Sequence, residues 1–241
     1  MTEKLYSDAD FRLVQDNLRY IEEEMATACA AAGRQMSEVT LMGVTKTVAP
    51  SRIQAALDAG VRHIGENRVQ EYMGKKDDLP LQGVTTHLIG HLQSNKVGRI
   101  VGEVDMIQSV DSEKLARLID KESGKKGIVT DVLVEVNIGY DEAKTGLAPE
   151  KLEPLLEVMA DLPHLRVKGL MTVPPILASE AEKRKVFSNM YKLFIDIRDK
   201  KIDNIGMHIL SMGMSGDYRE AILEGSTMVR IGSALFGERV Y

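Results

Sequence analysis

Eight short apolar runs separated by amphipathic stretches constrain this chain more than any other feature. They are Thr40–Thr45, Val61–Gly65, Thr86–Gly90, Val104–Gln108, Val132–Asn137, Leu165–Met171, Met207–Leu210 and Thr227–Ile231. Their length and punctuation read as strands. The intervening stretches read as helices: Ser51–Leu57, Arg68–Gly74, Ser94–Val101, Ser112–Ser123, Pro149–Ala160, Ser179–Asp199 and Asp217–Leu223. Strands joined by helices run parallel, because a crossover is needed to return to the same end of a sheet. Eight such units describe a closed (β/α)8 barrel of the TIM type, class α/β, more simply than an open doubly wound sheet. Alternation alone leaves the open sheet as the second architecture. Ahead of the barrel, Phe11, Val14, Leu18, Ile21 and Met25 recur at steps of three and four and predict an extra N-terminal helix. No Pro-rich linker or low-complexity segment divides the chain, so residues 1–241 are read as one domain.

Composition narrows what such a barrel does. A net charge of −5 argues against a phosphate-backbone binder, and an aromatic content of 5% without Trp argues against a base-stacking platform. The single cysteine, Cys29, removes disulfide frameworks and multi-thiolate metal sites. The segment MTEKLYSDADF lacks the basic and apolar regions of a signal peptide, and no run of apolar residues is long enough to span a membrane. A cytoplasmic protein with no nucleic-acid and no membrane partner is expected.

In a barrel of this kind, chemistry gathers where the strands end. Lys46 stands directly after the first run, LMGVT. It is either a surface lysine that snorkels or an amine made nucleophilic by its surroundings and able to form a Schiff base. The second signal is in the last two loops. Ser211-Met212-Gly213-Met214-Ser215-Gly216-Asp217 precedes a helix for which Asp217 is a candidate N-cap, and Arg230-Ile231-Gly232-Ser233 closes strand eight. Glycine and serine serve ordinary turns, but these loops are also where barrels of this type hold phosphate. His87 and His91 have the spacing of a helical metal pair, yet they lie on a strand and its turn, so no metal site is expected. His87 is expected in the barrel wall. The cations Lys183, Arg184, Lys185, Lys192, Arg198, Lys200 and Lys201 read as solvated surface.

A lysine Schiff base beside a phosphate cradle calls for a cofactor with both an aldehyde and a phosphate, and pyridoxal 5′-phosphate (PLP) fits. The electronic control point of that cofactor is its pyridine nitrogen. Arg230, beside the phosphate loop, is the candidate partner. A guanidinium there disfavours protonation of the ring and weakens it as an electron sink.

The segments TLMGVTK, IGENRVQE, HLIGHLQSNK, KTGL and LSMGMSGDYREAILEGSTMVRIGSALFG closely resemble the pyridoxal phosphate homeostasis proteins, also called the YggS-like or proline synthetase co-transcribed family. The resemblance runs from about residue 8 to the C-terminus and implies a fold like the N-terminal barrel of alanine racemase. It also implies PLP linked to Lys46, with phosphate contacts from Ser215, Gly232 and Ser233. Gly213 and Met214 would shape the loop, Arg230 would face the ring nitrogen, and Asn67, Asn137 and Met171 would surround the ring. Thr45 stands where the family commonly has serine. Thr86 stands where an aromatic is frequent, and a change of packing at the rim is expected there.

Alanine racemases add a C-terminal domain that carries a catalytic tyrosine, and this chain ends at Tyr241, about ten residues beyond strand eight. Only one base, Lys46, is visible for a reaction that needs two. The resemblance therefore implies a non-catalytic monomer that holds PLP reversibly, acts in vitamin B6 and amino-acid homeostasis, and delivers cofactor to apo-enzymes. The alternatives are a low-activity PLP-dependent racemase and a Schiff-base aldolase on a phosphate-binding barrel. Lys144, in the loop after strand five, is either a second transient amine or an exposed salt-bridged lysine.

Overall fold

The computed structural model describes residues 5–141, 144–175 and 179–237. Eight parallel strands close on themselves in sequence order, so the barrel reading holds and the open sheet does not. The strands are β1 (Thr40–Val44), β2 (His63–Glu66), β3 (Thr85–Leu88), β4 (Met106–Val110), β5 (Thr130–Glu135), β6 (Leu165–Met171), β7 (Ile205–Met214) and β8 (Met228–Ile231). Closure is made by β8 against β1, where Thr40–Gly43 run in register with Met228–Ile231.

Helix α1 (Asp8–Ala31) is the predicted leading helix. Ser7 caps it by accepting from the Asp10 amide, and Val14, Leu18, Ile21 and Met25 form its buried face. The crossover helices are α2 (Pro50–Asp58), α3 (Val69–Lys75), α4 (Val97–Ile100), α5 (Glu113–Lys126), α6 (Leu152–Ala160), α7 (Glu180–Lys200) and α8 (Tyr218–Leu223). A last turn, α9 (Ser233–Phe236), follows β8 directly and lies outside the sequence reading. Asn17 of α1 donates to the Leu235 carbonyl at 3.0 Å and Arg52 of α2 to the Phe236 carbonyl at 3.2 Å. The extra helix therefore does more than cover apolar surface: it braces the segment that follows strand eight.

The apolar core has an outer part and an inner part. Two large clusters lie between helices and strands, one around Leu88, Ile107, Phe187 and Leu210, the other around α1, Ile53, Val229 and Leu235. Met106, Leu133 and Met171 form a small third cluster. It fills only part of the interior. The polar side chains of His87, Gln108, Ser211 and Arg230, all buried, lie in the interior beside it, with Met228 against Gln108.

Strand ends differ from the sequence reading in two informative places. Strand β7 runs on through Met214 rather than stopping at Leu210, because Ser211 and Gly213 interrupt the apolar run while still facing packed neighbours. Strand β5 stops at Glu135 rather than Asn137. Beyond it the Asn137 amide turns to the Leu147 carbonyl at 2.9 Å, so the chain pairs with the KTGL segment.

Candidate functional site

The C-terminal ends of β1, β2 and β8 and the loop after β7 surround a cleft of about 320 Å³. Its lining includes Lys46, Asn67, Met214, Ser215, Arg230, Gly232 and Ser233. Seven of the ten residues singled out from the sequence thus meet in one place, from four separate stretches of chain.

Lys46 is half-buried at the end of β1, and both of its neighbours are fastened. The Thr45 amide donates to the Gly65 carbonyl at 2.9 Å, and its hydroxyl lies 3.2 Å from both that carbonyl and Glu66 Oε2. On the other side, the Thr47 amide donates to the Glu71 carboxylate from a left-handed backbone (φ 60°). A buried lysine, Lys75, ties these groups together. Its ammonium pairs with Glu66, lies 3.1 Å from Glu71 Oε1 and donates to the Thr45 carbonyl at 2.7 Å. Burial holds the Glu66 carboxyl above its ordinary range, and Lys75 offsets part of that. Sequence reading missed this cluster. The one available signal was that Glu71 and Lys75 stand four apart on a helix, and i,i+4 pairs are usually surface pairs.

At the opposite wall, Ser215 Oγ accepts from the Gly232 amide at 3.1 Å and from the Ala234 amide at 3.2 Å. Two backbone donors from one loop therefore converge on a single oxygen from the other, beside the Ser233 hydroxyl. The Ser215 loop is closed by Asp217, whose carboxylate accepts from the Met214 amide at 2.7 Å. Asp217 stands at the N-cap position of α8, but its side chain makes no bond to that helix. The expected cap is thus a loop clasp, and burial raises its carboxyl. Gly213 (φ 93°) sits behind the loop rather than in the cleft. A Cβ there would lie 2.6 Å from that of Ala221, so glycine is what lets α8 approach β7.

Arg230 is buried, with Nη1 2.8 Å from Ser211 Oγ and Nη2 2.8 Å from the Thr172 carbonyl. Burial brings it down to about 10, opposed by the charges of Glu135 and Asp217. It remains a cation at neutral pH and lines the cleft.

Three predicted residues stand apart from the lining. Asn137 organises the loop after β5, bonding both the amide and the carbonyl of Asp141. Met171 belongs to the inner apolar cluster, and Gly213 backs the loop as described. Lys144 is half-buried rather than exposed: its ammonium donates to the Pro174 carbonyl, and burial lowers its pKa, opposed by the charges of Asp141 and Asp217. Thr86 is not at the rim of the cleft either. It lies in the first half of β3, where its hydroxyl and amide bind Asp105 at 2.9 and 2.7 Å.

His87 lies inside the barrel, 3.1 Å from Gln108 and 3.2 Å from His63. Burial, helped by His63 and opposed by Asp105, pushes its pKa down to about 3. The unfolded chain therefore binds a proton between about pH 6.5 and pH 3 that the folded chain refuses, so stability falls as pH drops through that window. The full effect is on the order of 5 kcal/mol. In urea unfolding at a series of pH values, His87→Gln should flatten this slope; parallel curves for the two proteins would rule the assignment out. Among the described residues no cluster of His, Cys, Asp and Glu could hold a metal ion, and no helix is long and apolar enough to cross a membrane.

Known proteins share this architecture. Residues 17–240 match the family model for the alanine racemase N-terminal domain. The pyridoxal phosphate homeostasis protein of Aquifex aeolicus is 42% identical over 226 residues, 94% of this chain and 98% of that protein. A crystal structure of an unknown protein from Bifidobacterium adolescentis superposes with a TM-score of 0.92 at 36% identity, covering 97% of this chain and 98% of the other. PipY of Synechococcus elongatus, solved with PLP bound, gives a TM-score of 0.79 at 34% identity, covering 90% of this chain and all of PipY. Identity at this level over nearly the whole length, together with the same closed barrel, places the chain in the pyridoxal phosphate homeostasis protein family, within the group defined by the alanine racemase N-terminal domain.

Proposed function

We propose that the cleft binds pyridoxal 5′-phosphate through a Schiff base to Lys46 and that the protein is a reversible carrier and buffer of this cofactor rather than a catalyst. The observation that carries the reading is the opposition of one amine, Lys46, to a set of anion donors across a single cleft. The Ser215 and Ser233 hydroxyls suit a phosphate, and so do the Gly232 and Ala234 amides once they exchange their bonds to Ser215 Oγ for the ligand. Arg230 suits the ring nitrogen, where its fixed charge keeps that nitrogen from taking a proton. Asn67 and Met214 line the space between them, while Asn137, Met171 and Gly213 act from behind the lining by holding its loops and floor. When bound, the cofactor supplies an aldehyde and an aromatic electron sink.

Support for holding over turnover comes from what lines the cleft. Its described lining contains Lys46 as the one amine, with no carboxylate, imidazole or phenol opposite it. Racemisation needs an acid and a base on opposite faces of the substrate. In this reading the protein acts inside the cell as a one-domain monomer, serves vitamin B6 and amino-acid homeostasis, and passes cofactor to apo-enzymes.

Borohydride trapping followed by peptide mapping tests the assignment. The label should fall on the peptide that contains Lys46, and amino acids incubated with the loaded protein should show no deuterium exchange at the α-carbon. Label on another lysine as the main product would sink it. The phosphate half has its own test. Pyridoxal, which lacks the phosphate, should bind far more weakly than PLP, and Ser215→Ala should cost roughly tenfold in PLP affinity while leaving pyridoxal unchanged. Equal losses for both ligands would move the phosphate elsewhere.

A further inference from the structure

Arg230 is the first member of a hydrogen-bond chain that crosses the barrel interior. Its Nη1 lies 2.8 Å from Ser211 Oγ, and that hydroxyl lies 2.8 Å from Gln108 Oε1. Gln108 Nε2 lies 3.1 Å from His87 Nδ1, and His87 Nε2 lies 3.2 Å from His63 Nδ1. The links step from β8 to β7, β4, β3 and β2. The first four side chains are at most 4% exposed.

Because one end is an arginine, the chain has one sense. A guanidinium only donates, so Ser211 Oγ accepts from it and sends its own proton to Gln108 Oε1. The Gln108 amide is thereby oriented with its nitrogen toward His87. His87 Nδ1 must accept, which puts the proton of the neutral ring on Nε2, facing His63. Any reversed link would set two donors or two acceptors face to face in a buried site.

We infer that Ser211, Gln108 and His87 are positioning residues for Arg230: together they fix the plane and charge of the guanidinium against the cleft. Only Arg230 lines the cleft; the other three do not. Without Ser211 as an anchor, Arg230 would keep the Thr172 carbonyl alone and swing toward the charges of Glu135 and Asp217. Its use to a ligand rests on the reading that PLP places its ring nitrogen there. The chain itself does not.

The test separates the two. In cofactor-free protein, nitrogen NMR of the histidines should show His87 as the Nε2–H tautomer, and the Arg230 guanidinium protons should exchange slowly. Gln108→Met, which fills the space without hydrogen bonds, should release the tautomer and speed the guanidinium exchange about tenfold. Ser211→Ala should speed the exchange equally, Ser211→Thr should restore it, and this pair decides the matter if Gln108→Met does not fold. With ring-labelled PLP added, the ring-nitrogen signal should move toward the protonated form in Gln108→Met. Unchanged guanidinium exchange in both Gln108→Met and Ser211→Ala would overturn the inference. Failure of wild-type protein to take up PLP, with the cofactor-free results as expected, would overturn the cofactor reading and leave the chain standing.

Discussion

Lys46→Ala is expected to lose all cofactor that borohydride can trap, while the variant stays folded. The side chain is half-buried at the mouth of the cleft, and its segment is fastened on both sides by hydrogen bonds of Thr45 and Thr47 that an alanine at 46 would keep. Removing the amine should therefore leave the β1 loop in place. The phosphate donors at Ser215, Gly232 and Ala234 remain, so PLP should still associate, but reversibly and with the absorbance of the free aldehyde. Pyridoxal should not bind detectably. Trapped product persisting at wild-type level in Lys46→Ala would transfer the linkage to another amine. Lys144 would be examined next, since burial lowers its pKa and it stands at the same end of the barrel.

The largest loss of stability is expected from Lys75→Met. The lysine is buried, with 8% of its side chain exposed, and it faces Glu66, which is 2% exposed, as well as Glu71 and the Thr45 carbonyl. Breaking a buried pair by removing one partner leaves the other charge uncompensated and costs about 3–5 kcal/mol. For a chain of this size that corresponds to a fall in Tm of roughly 10 °C. The sign with pH is set by Glu66. Burial already raises its carboxyl, and loss of Lys75 raises it further. A carboxyl raised in the folded state contributes stability at low pH that is lost as pH rises, so the deficit of Lys75→Met should grow as pH climbs above the ordinary glutamate range. Glu66→Gln in the same chain should recover part of it. A deficit below about 1 kcal/mol with no pH dependence would mean that solvent reaches the cluster. Because Thr45 and Thr47 flank Lys46, the variant should also weaken Schiff-base trapping in whatever fraction remains folded.

Much of the site was legible because barrels order chemistry along the chain. Lys46, Ser215, Arg230, Gly232 and Ser233 stand at or beyond strand ends that the apolar runs mark. Their residue types, an amine and a set of anion donors, carry meaning without coordinates. What was illegible is the support. Lys75 looks like the solvent-exposed half of a helical i,i+4 pair with Glu71, and only the packing of α3 against β1 and β2 turns it inward to Glu66. Gln108 and His87 sit within runs that read as plain strand, and a strand sequence does not state which face meets the barrel axis when both are buried. Asp217 has the residue type and position of a helix cap, yet its carboxylate bonds backward to Met214. Asp and Asn bind nearby amides in either direction, and local sequence does not choose between them.

The sequence by itself determined the alternation of strand and helix, the parallel sense that alternation imposes, the leading helix, and the chemical identity of the groups at the strand ends. Those follow from short-range physics: apolar periodicity, the reach of a crossover, and what an amine, a guanidinium or a glycine can do. The tertiary structure decided closure of β8 on β1, the meeting of Lys46 with Ser215 and Arg230, and the burial of Lys75 and the Arg230 chain. Each of these sets side chains from distant stretches against one another inside a low-dielectric interior. There an unpaired charge or donor is costly, so the partners a buried group finds across the barrel, not its neighbours in sequence, fix where it points.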